Sequence, residues 1–186
     1  MKKLILGISG ASGVRLGVRF LQEVKKHFEC FVVVSHSACI VAQKEEGKDL
    51  MDVLFQENVK IYNEQEIDAG IASGSFGADV MAVIPTSMNM LAKISCGISD
   101  ELISRCASVM LKERKTLLLA PREMPFSSIA LENMSKLAGL GVIIAPPVLA
   151  YYAQSQDLQS MENFIIGKWL DVLGVPNSLY LRWSDR

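Results

Sequence analysis

Residues able to do chemistry recur just past short apolar runs of this 186-residue chain. Ser9 and Ser12 follow Leu4-Ile5-Leu6 in the stretch KKLILGISGASG (Lys2–Gly13), and Ser35 follows Phe31 to Val34. Ser87 follows Val80 to Ile84, Arg122 and Glu123 follow Thr116 to Ala120, and Tyr152 comes after Val142 to Ala145. If the runs are parallel strands, these groups share one edge of a sheet, where an open α/β sheet forms its ligand crevice. Gly7, Gly10 and Gly13 would let backbone N–H groups close on an anion, and the dipole of a following helix adds to the attraction. Neither G-x-G-x-x-G nor the Lys-Ser/Thr of a P-loop is present, so the loop reads equally as a plain strand–helix turn. Pro85-Thr86-Ser87 is a second turn of this kind, offering hydroxyls and N–H groups. The Arg-Glu pair held between Pro121 and Pro125 is harder to assign to a bland role.

The elements that must position these groups follow from periodicity. Val14, Val18, Leu21, Val24 and Phe28 form one stripe of a helix from about Val14 to Phe28. Phe31 to Val34 is a continuous β-branched and aromatic run, suited to a parallel strand buried on both faces. Helices are expected over Ser37 to Glu46, ending at Gly47, and over Asp49 to Gln56, with a short strand at Val59 to Tyr62. Asp68 to Gly77, rich in Gly, Ala and Ser, reads as a flexible loop or as a lid over a flat ligand. A helix starts near Ser87, and another spans Asp100 to Arg114, where Arg105, Ser108 and Lys112 share a stripe. Ser127 or Ser128 caps a helix ending at Gly139 or Gly141, and Asp157 caps a last one that stops at Gly174. Strands alternating with helices, with no linker or repeat, predict a single domain over residues 1–186. Its expected form is a three-layer α/β/α Rossmann-like (flavodoxin-like) fold with a mostly parallel sheet.

Bulk properties narrow the function. Half the chain is hydrophobic and the net charge is −1, with no basic stripe, so nucleic acid is not an expected partner. No run is long enough to span a bilayer and no signal peptide precedes the first strand, which predicts a cytoplasmic protein away from membranes. Cys30, Cys39, Cys96 and Cys106 lack C-x-x-C spacing, and only His27 and His36 could join them, so a metal site is not expected. His27 reads as a solvated helix residue; His36 lies beyond the second strand.

A family resemblance rests on GISGASG, on SGSF (Ser73–Phe76) and above all on RCASVMLKERKTLLLAPREMPFSS (Arg105–Ser128). ENM (Glu132–Met134), the PPVLAYY loop and LRW near the end extend it almost throughout. In these motifs the chain resembles the flavin prenyltransferases of the UbiX type, relatives of the flavin-containing cysteine decarboxylases. The resemblance implies a metal-independent flavoprotein that joins a dimethylallyl group, from dimethylallyl phosphate, to N5 and C6 of reduced FMN. The product, prenylated FMN, would serve a UbiD-type decarboxylase, and the protein would be a homo-oligomer, a dodecamer with sites where subunits meet.

Carried over by position, Gly10, Ala11, Ser12, Ser35, the Ser87-Met88-Asn89-Met90 turn and Arg122 would hold FMN. Lys112, Arg122, Glu123, Tyr152 and Lys168 would gather round the prenyl phosphate. Ser12, Glu123, Lys112 and Glu45 would be the catalytic set, with Ser12 and Glu123 as proton carriers; Arg105 matches a family arginine. Lys168 stands where many members have Arg, Met90 replaces a common Thr, and no aromatic residue precedes SGSF. A flavin-dependent cysteine decarboxylase is the runner-up: Pro85 to Asn89 loosely matches that branch, but its P-x-M-N-x-x-M-W clamp is missing. A non-catalytic FMN carrier is a further alternative, against which stands Glu123, a carboxylate with little purpose beside a merely bound phosphate.

Overall fold

A computed structural model describes residues 1–185. The chain divides into two compact units, Met1–Pro146 and Pro147–Arg186, a division that no linker-like composition announces.

The first unit is built on six parallel strands: β1 (Lys3–Ile8), β2 (Glu29–Val34), β3 (Lys60–Asn63), β4 (Val80–Thr86), β5 (Thr116–Pro121) and β6 (Ile143–Ile144). Their order across the sheet is β3-β2-β1-β4-β5-β6. This is the doubly wound Rossmann order, with its switch point between β1 and β4. The near-continuous apolar runs of β1, β2, β4 and β5 are buried on both faces, as covered parallel strands require.

One face carries α1 (Val14–Val24), whose apolar stripe lies on β1 and β4. A Cβ at Gly17 would come within 2.3 Å of the Ile84 carbonyl oxygen, so only glycine permits this close approach. The other face is covered by α4 (Met88–Cys96), α5 (Leu102–Lys112) and α6 (Ser128–Gly139), following α2 (His36–Glu46) and α3 (Leu50–Phe55) in the chain. Ile5, Val33, Met81, Val83 and Leu119 meet Leu91, Ile103, Cys106 and Met110 there in an almost dry aliphatic core. Burial pushes the Cys30 and Cys106 thiols up to about 12, which makes both unreactive packing groups.

Residues 64–79 cross from the carboxyl edge of β3 to the amino edge of β4 without an α-helix. They form two short 3-10 turns, Gly70–Ala72 and Gly74–Phe76. Lys3 Nζ donates to the Phe76 carbonyl at 3.0 Å and stands 4.3 Å over its ring, while Phe76 packs edge-on to Phe31. This segment, open to reading as a lid, is therefore a crossover whose SGSF end is fixed at the amino edge, beside the start of β1.

The second unit contains α7 (Leu158–Val172). Its start is a capping box: Asp157 Oδ1 accepts from Ser160 N–H at 2.7 Å and Ser160 Oγ accepts from Asp157 N–H at 3.2 Å. Among the described residues no helix is long and apolar enough to cross a membrane, and no cluster of His, Cys, Asp and Glu could hold a metal ion.

Candidate flavin site at the carboxyl edge of the sheet

Three helices begin where β1, β2 and β4 end, and their first turns differ in what is left to bind. At α2, Ser35 is the N-cap and its Oγ accepts from Ala38 N–H at 3.1 Å. Glu64 takes the His36 N–H at 3.0 Å, so a carboxylate already occupies that helix start. At α1, Ala11 N–H donates back to the Ser9 carbonyl at 2.8 Å, and Gly13 N–H donates to Glu45 Oε2 at 3.0 Å. The alternate amides of Gly10 and Ser12 have no partner among the described residues. At α4, Ser87 is the N-cap and its Oγ accepts from Met90 N–H at 3.2 Å, leaving the Met88 and Asn89 amides open. The two helix starts with spare donors thus flank the switch point, where the dipoles of both favour an anion.

Buried hydroxyls fix these loops against one another. Ser9 Oγ donates to the Pro85 carbonyl at 2.9 Å and accepts from Ser87 N–H at 2.8 Å, tying the end of β1 to the start of α4. Thr86 Oγ1 donates to the Val83 carbonyl at 2.7 Å and accepts from Ala120 N–H at 3.1 Å, and Arg122 N–H donates to the Thr86 carbonyl at 3.1 Å. Both hydroxyls are almost fully buried, so each bond is made without competing water. Ser9 stands in the sequence as a polar residue at a strand end, and Thr86 lies in the Pro85-Thr86-Ser87 turn that offers hydroxyls. Thr86 directly follows Pro85 in the chain, whereas Ser9 meets Pro85 only in the tertiary structure. Gly10 is required for packing, since a Cβ there would lie 2.3 Å from the Ser37 Cβ.

Ser12 is half-buried, and Arg122 is exposed, its guanidinium without a partner among the described residues. Glu123 turns back on its own loop, its Oε1 accepting from Met124 N–H at 2.9 Å. Met90 contributes to this edge only through its backbone, because its side chain is buried in the core at 2% exposure. Met88 also packs partly against that core, whereas Asn89 is exposed. Glu45 is an exposed side chain that reaches the loop only at the Gly13 amide, where its charge complements the start of α1.

Lys112 is not among these groups. It ends α5, which runs back toward the amino edge, and its Nζ pairs with Glu113 Oε1 at 3.1 Å. Glu113 Oε1 and Lys112 Nζ lie against Gly74, in the same turn that receives Lys3. Six residues of β5, about 20 Å at strand rise, then separate this end from Arg122. Within one chain Lys112 and Arg122 stand at opposite edges of the sheet.

Tyr152 and Lys168 belong to the second unit. Tyr152 is half-buried and packs edge-on against Phe164 and Trp183, each with ring centroids 5.6 Å away. Lys168 lies exposed on α7, its Nζ 3.9 Å from Asp171 Oδ2.

The carboxyl edge fits a mononucleotide flavin: two sets of amides suit a phosphate, Ser12 can hydrogen-bond a ring, and Arg122 adds a cation unpaired among the described residues. Comparisons with known proteins agree in kind. A flavoprotein family model matches residues 1–169. The flavin prenyltransferase UbiX of Helicobacter pylori is 53% identical over 184 residues, covering 98% of each chain. The dodecameric FMN-dependent UbiX-like decarboxylase from Escherichia coli O157:H7 superposes with a TM-score of 0.92 at 38% identity, covering 97% of this chain and 98% of that one. AnUbiX (PadA1), solved with FMN and dimethylallyl pyrophosphate, gives a TM-score of 0.94 at 34% identity, covering 98% and 97%. By sequence and fold alike, the chain belongs to the flavoprotein family, within its UbiX flavin prenyltransferase branch.

Proposed function

We propose that this protein is a flavin prenyltransferase, joining the dimethylallyl group of dimethylallyl phosphate to N5 and C6 of reduced FMN. The observation that carries this reading is the pair of helix starts with amides open among the described residues, clamped together by Ser9, in a chain of this branch. When bound, reduced FMN supplies the nucleophilic N5 and the ring carbon C6.

The chain's own residues would place the reactants and manage charge. Gly10, Ala11 and Ser12, with Ser35 and the Ser87–Met90 turn, hold the flavin; Met90 does so by backbone alone. Arg122, Lys112 and Lys168 supply positive charge, and Tyr152 a hydroxyl, where negative charge grows on the departing phosphate as its C–O bond breaks. Glu123 and Ser12 would carry the protons: the one released from N5 on alkylation goes to the departing phosphate, and the one leaving C6 on ring closure is matched by one delivered to the alkene of the dimethylallyl group. Glu45 keeps the Gly13 amide occupied, so that binding falls to Gly10 and Ser12. Since Lys112 lies at the far edge of its own sheet, it would reach the phosphate from another copy, and we take the working form to be a homo-oligomer, a dodecamer. Both units would serve this one activity as a single flavoprotein domain in the cytoplasm, without metal, and prenylated FMN would pass to a UbiD-type decarboxylase.

Anaerobic incubation with reduced FMN and dimethylallyl phosphate, followed by mass measurement of the extracted flavin, tests the reading. A mass gain of one dimethylallyl group is expected. Unchanged FMN with both the monophosphate and the diphosphate donor would overturn it. Glu123→Gln should still bind yellow FMN while turnover falls by about two orders of magnitude or more; normal turnover would remove Glu123 from proton transfer.

A further inference from the structure

Asp171, three residues after Lys168 on α7, is crowded with donors. Its Oδ1 accepts from Arg182 Nη2 and from Asn177 Nδ2, both at 2.9 Å. Its Oδ2 accepts from Arg182 Nη1 at 3.1 Å and from the Tyr180 hydroxyl. A carboxylate offers about four acceptor positions, and here all are taken. Lys168 Nζ stands 3.9 Å from Oδ2, close enough to be attracted and too far to hydrogen-bond. The Lys168 side chain is 48% exposed against 19% for Asp171, so the ammonium faces outward while its anion is engaged elsewhere.

The tail carrying Arg182 is brought here by a specific contact. A Cβ at Gly167 would meet the Tyr180 ring at 2.5 Å and Asn177 Oδ1 at 2.9 Å, so the tail crosses α7 at the residue next to Lys168. Asn177 Nδ2 also donates to the Gly167 carbonyl at 3.1 Å. Arginine suits the position because its planar fork fills both oxygens of the carboxylate at once. A lysine at 168 makes the need sharper, since a compact ammonium can be captured by a single open acceptor position.

We propose that Arg182 is a positioning residue: by saturating Asp171 it prevents that carboxylate from capturing Lys168, and so leaves the Lys168 ammonium for the phosphate of the prenyl donor. The proposal rests on the reading of Lys168 as a phosphate ligand.

Steady-state kinetics of the full-length protein with reduced FMN and varied dimethylallyl phosphate test it. Arg182→Gln should raise KM about three- to fivefold, the scale of one exposed ion pair, with kcat held within about twofold. Adding Asp171→Asn should return KM close to the starting value, because no anion remains to hold Lys168. In a Lys168→Ala background, Arg182→Gln should add nothing, since both changes act through one ammonium. Arg182→Lys, which keeps the charge without the fork, should give an intermediate KM, and it guards against a misfolded glutamine variant when thermal midpoints are read alongside. An equal KM rise from Arg182→Gln with and without Lys168, or no recovery on adding Asp171→Asn, would overturn the proposal in favour of simple tail support. An unchanged KM in Lys168→Ala alone would overturn the phosphate role as well, which separates that failure from a failure of Arg182.

Discussion

The two edges of the central sheet are both polar, yet they use their polar groups in opposite ways. At the amino edge, charges and hydrogen-bonding groups satisfy one another: Lys112 pairs with Glu113, Lys3 N–H donates to Asp79 Oδ2 at 2.9 Å, and Lys3 Nζ caps Phe76. At the carboxyl edge, small hydroxyls are consumed in clamping the strands, while the amides of Gly10, Ser12, Met88 and Asn89 and the Arg122 guanidinium have no partner among the described residues. Capacity to bind lies where the fold leaves donors unspent, not where charge is densest. Parallel topology creates the difference, because every strand–helix turn at the carboxyl edge presents a helix start, and the amino edge receives helix ends.

The sharpest way to break this contrast is to ask whether Lys112 ever works at the carboxyl edge. Lys112→Ala and Glu123→Gln should each lose about two orders of magnitude or more in turnover when assembled alone. Co-expressed, the two variants should recover a substantial fraction of activity, because a mixed oligomer can join an intact Lys112 from one copy to an intact Glu123 of another. Activity of the mixture no higher than that of either parent would confine Lys112 to its own edge.

A smaller effect sharpens the role of the clamps. Ser9→Ala leaves the Ser87 N–H without its acceptor and removes one of two donors from the Pro85 carbonyl, which keeps the Ser9 N–H, at a cost of about 1–3 kcal/mol in urea unfolding. Ser73→Ala, which removes an exposed cap at the amino edge, should cost about 0.5 kcal/mol or less. Equal losses would mean that the carboxyl-edge hydroxyls are no more structural than those of the amino edge.

The second unit offers a third case, a carboxylate entirely engaged by its neighbours. Burial pushes the Asp171 carboxyl up, but hydrogen bonds from Arg182 and Tyr180 more than reverse this and hold it below the usual carboxylate value. Its contribution to stability is therefore complete above the unfolded value of about 3.9, and it is lost as pH falls through the lower folded value. Urea midpoints measured from pH 7 down to pH 3 should show a downturn below about pH 4 that is shallower in Asp171→Asn. Parallel acid limbs for the two proteins would remove Asp171 as a contributor.

Local signals located most elements closely. Ser87, Ser127 and Asp157 are N-caps where hydroxyl or carboxylate residues precede apolar periodicity, and Gly47 ends α2 at a φ of 65°. The first helix stops at Val24 rather than near Phe28, because Lys25 to Phe28 turn away to begin β2 although Phe28 continues the apolar stripe. The site was legible in part. Ser12, Ser35, Ser87 and Arg122 fall at strand ends as their spacing implies, but Ser35 serves as a cap and Met90 sends its side chain into the core. Glu64 gave no local sign of its role, since its contact with the His36 amide comes from another loop.

The sequence by itself determined the alternation of strands and helices, the glycine and hydroxyl turns at strand ends and the family, since these depend on residue type and short-range spacing. Only the tertiary structure decided which donors remain available, because each depends on partners far along the chain: Glu45 on Gly13, Ser9 on Ser87, Arg182 on Asp171. It also divided the most specific motif, Arg105 to Pro125, between two edges. A helix that returns beside a parallel strand must leave its last residues a full strand length from the turn that follows that strand.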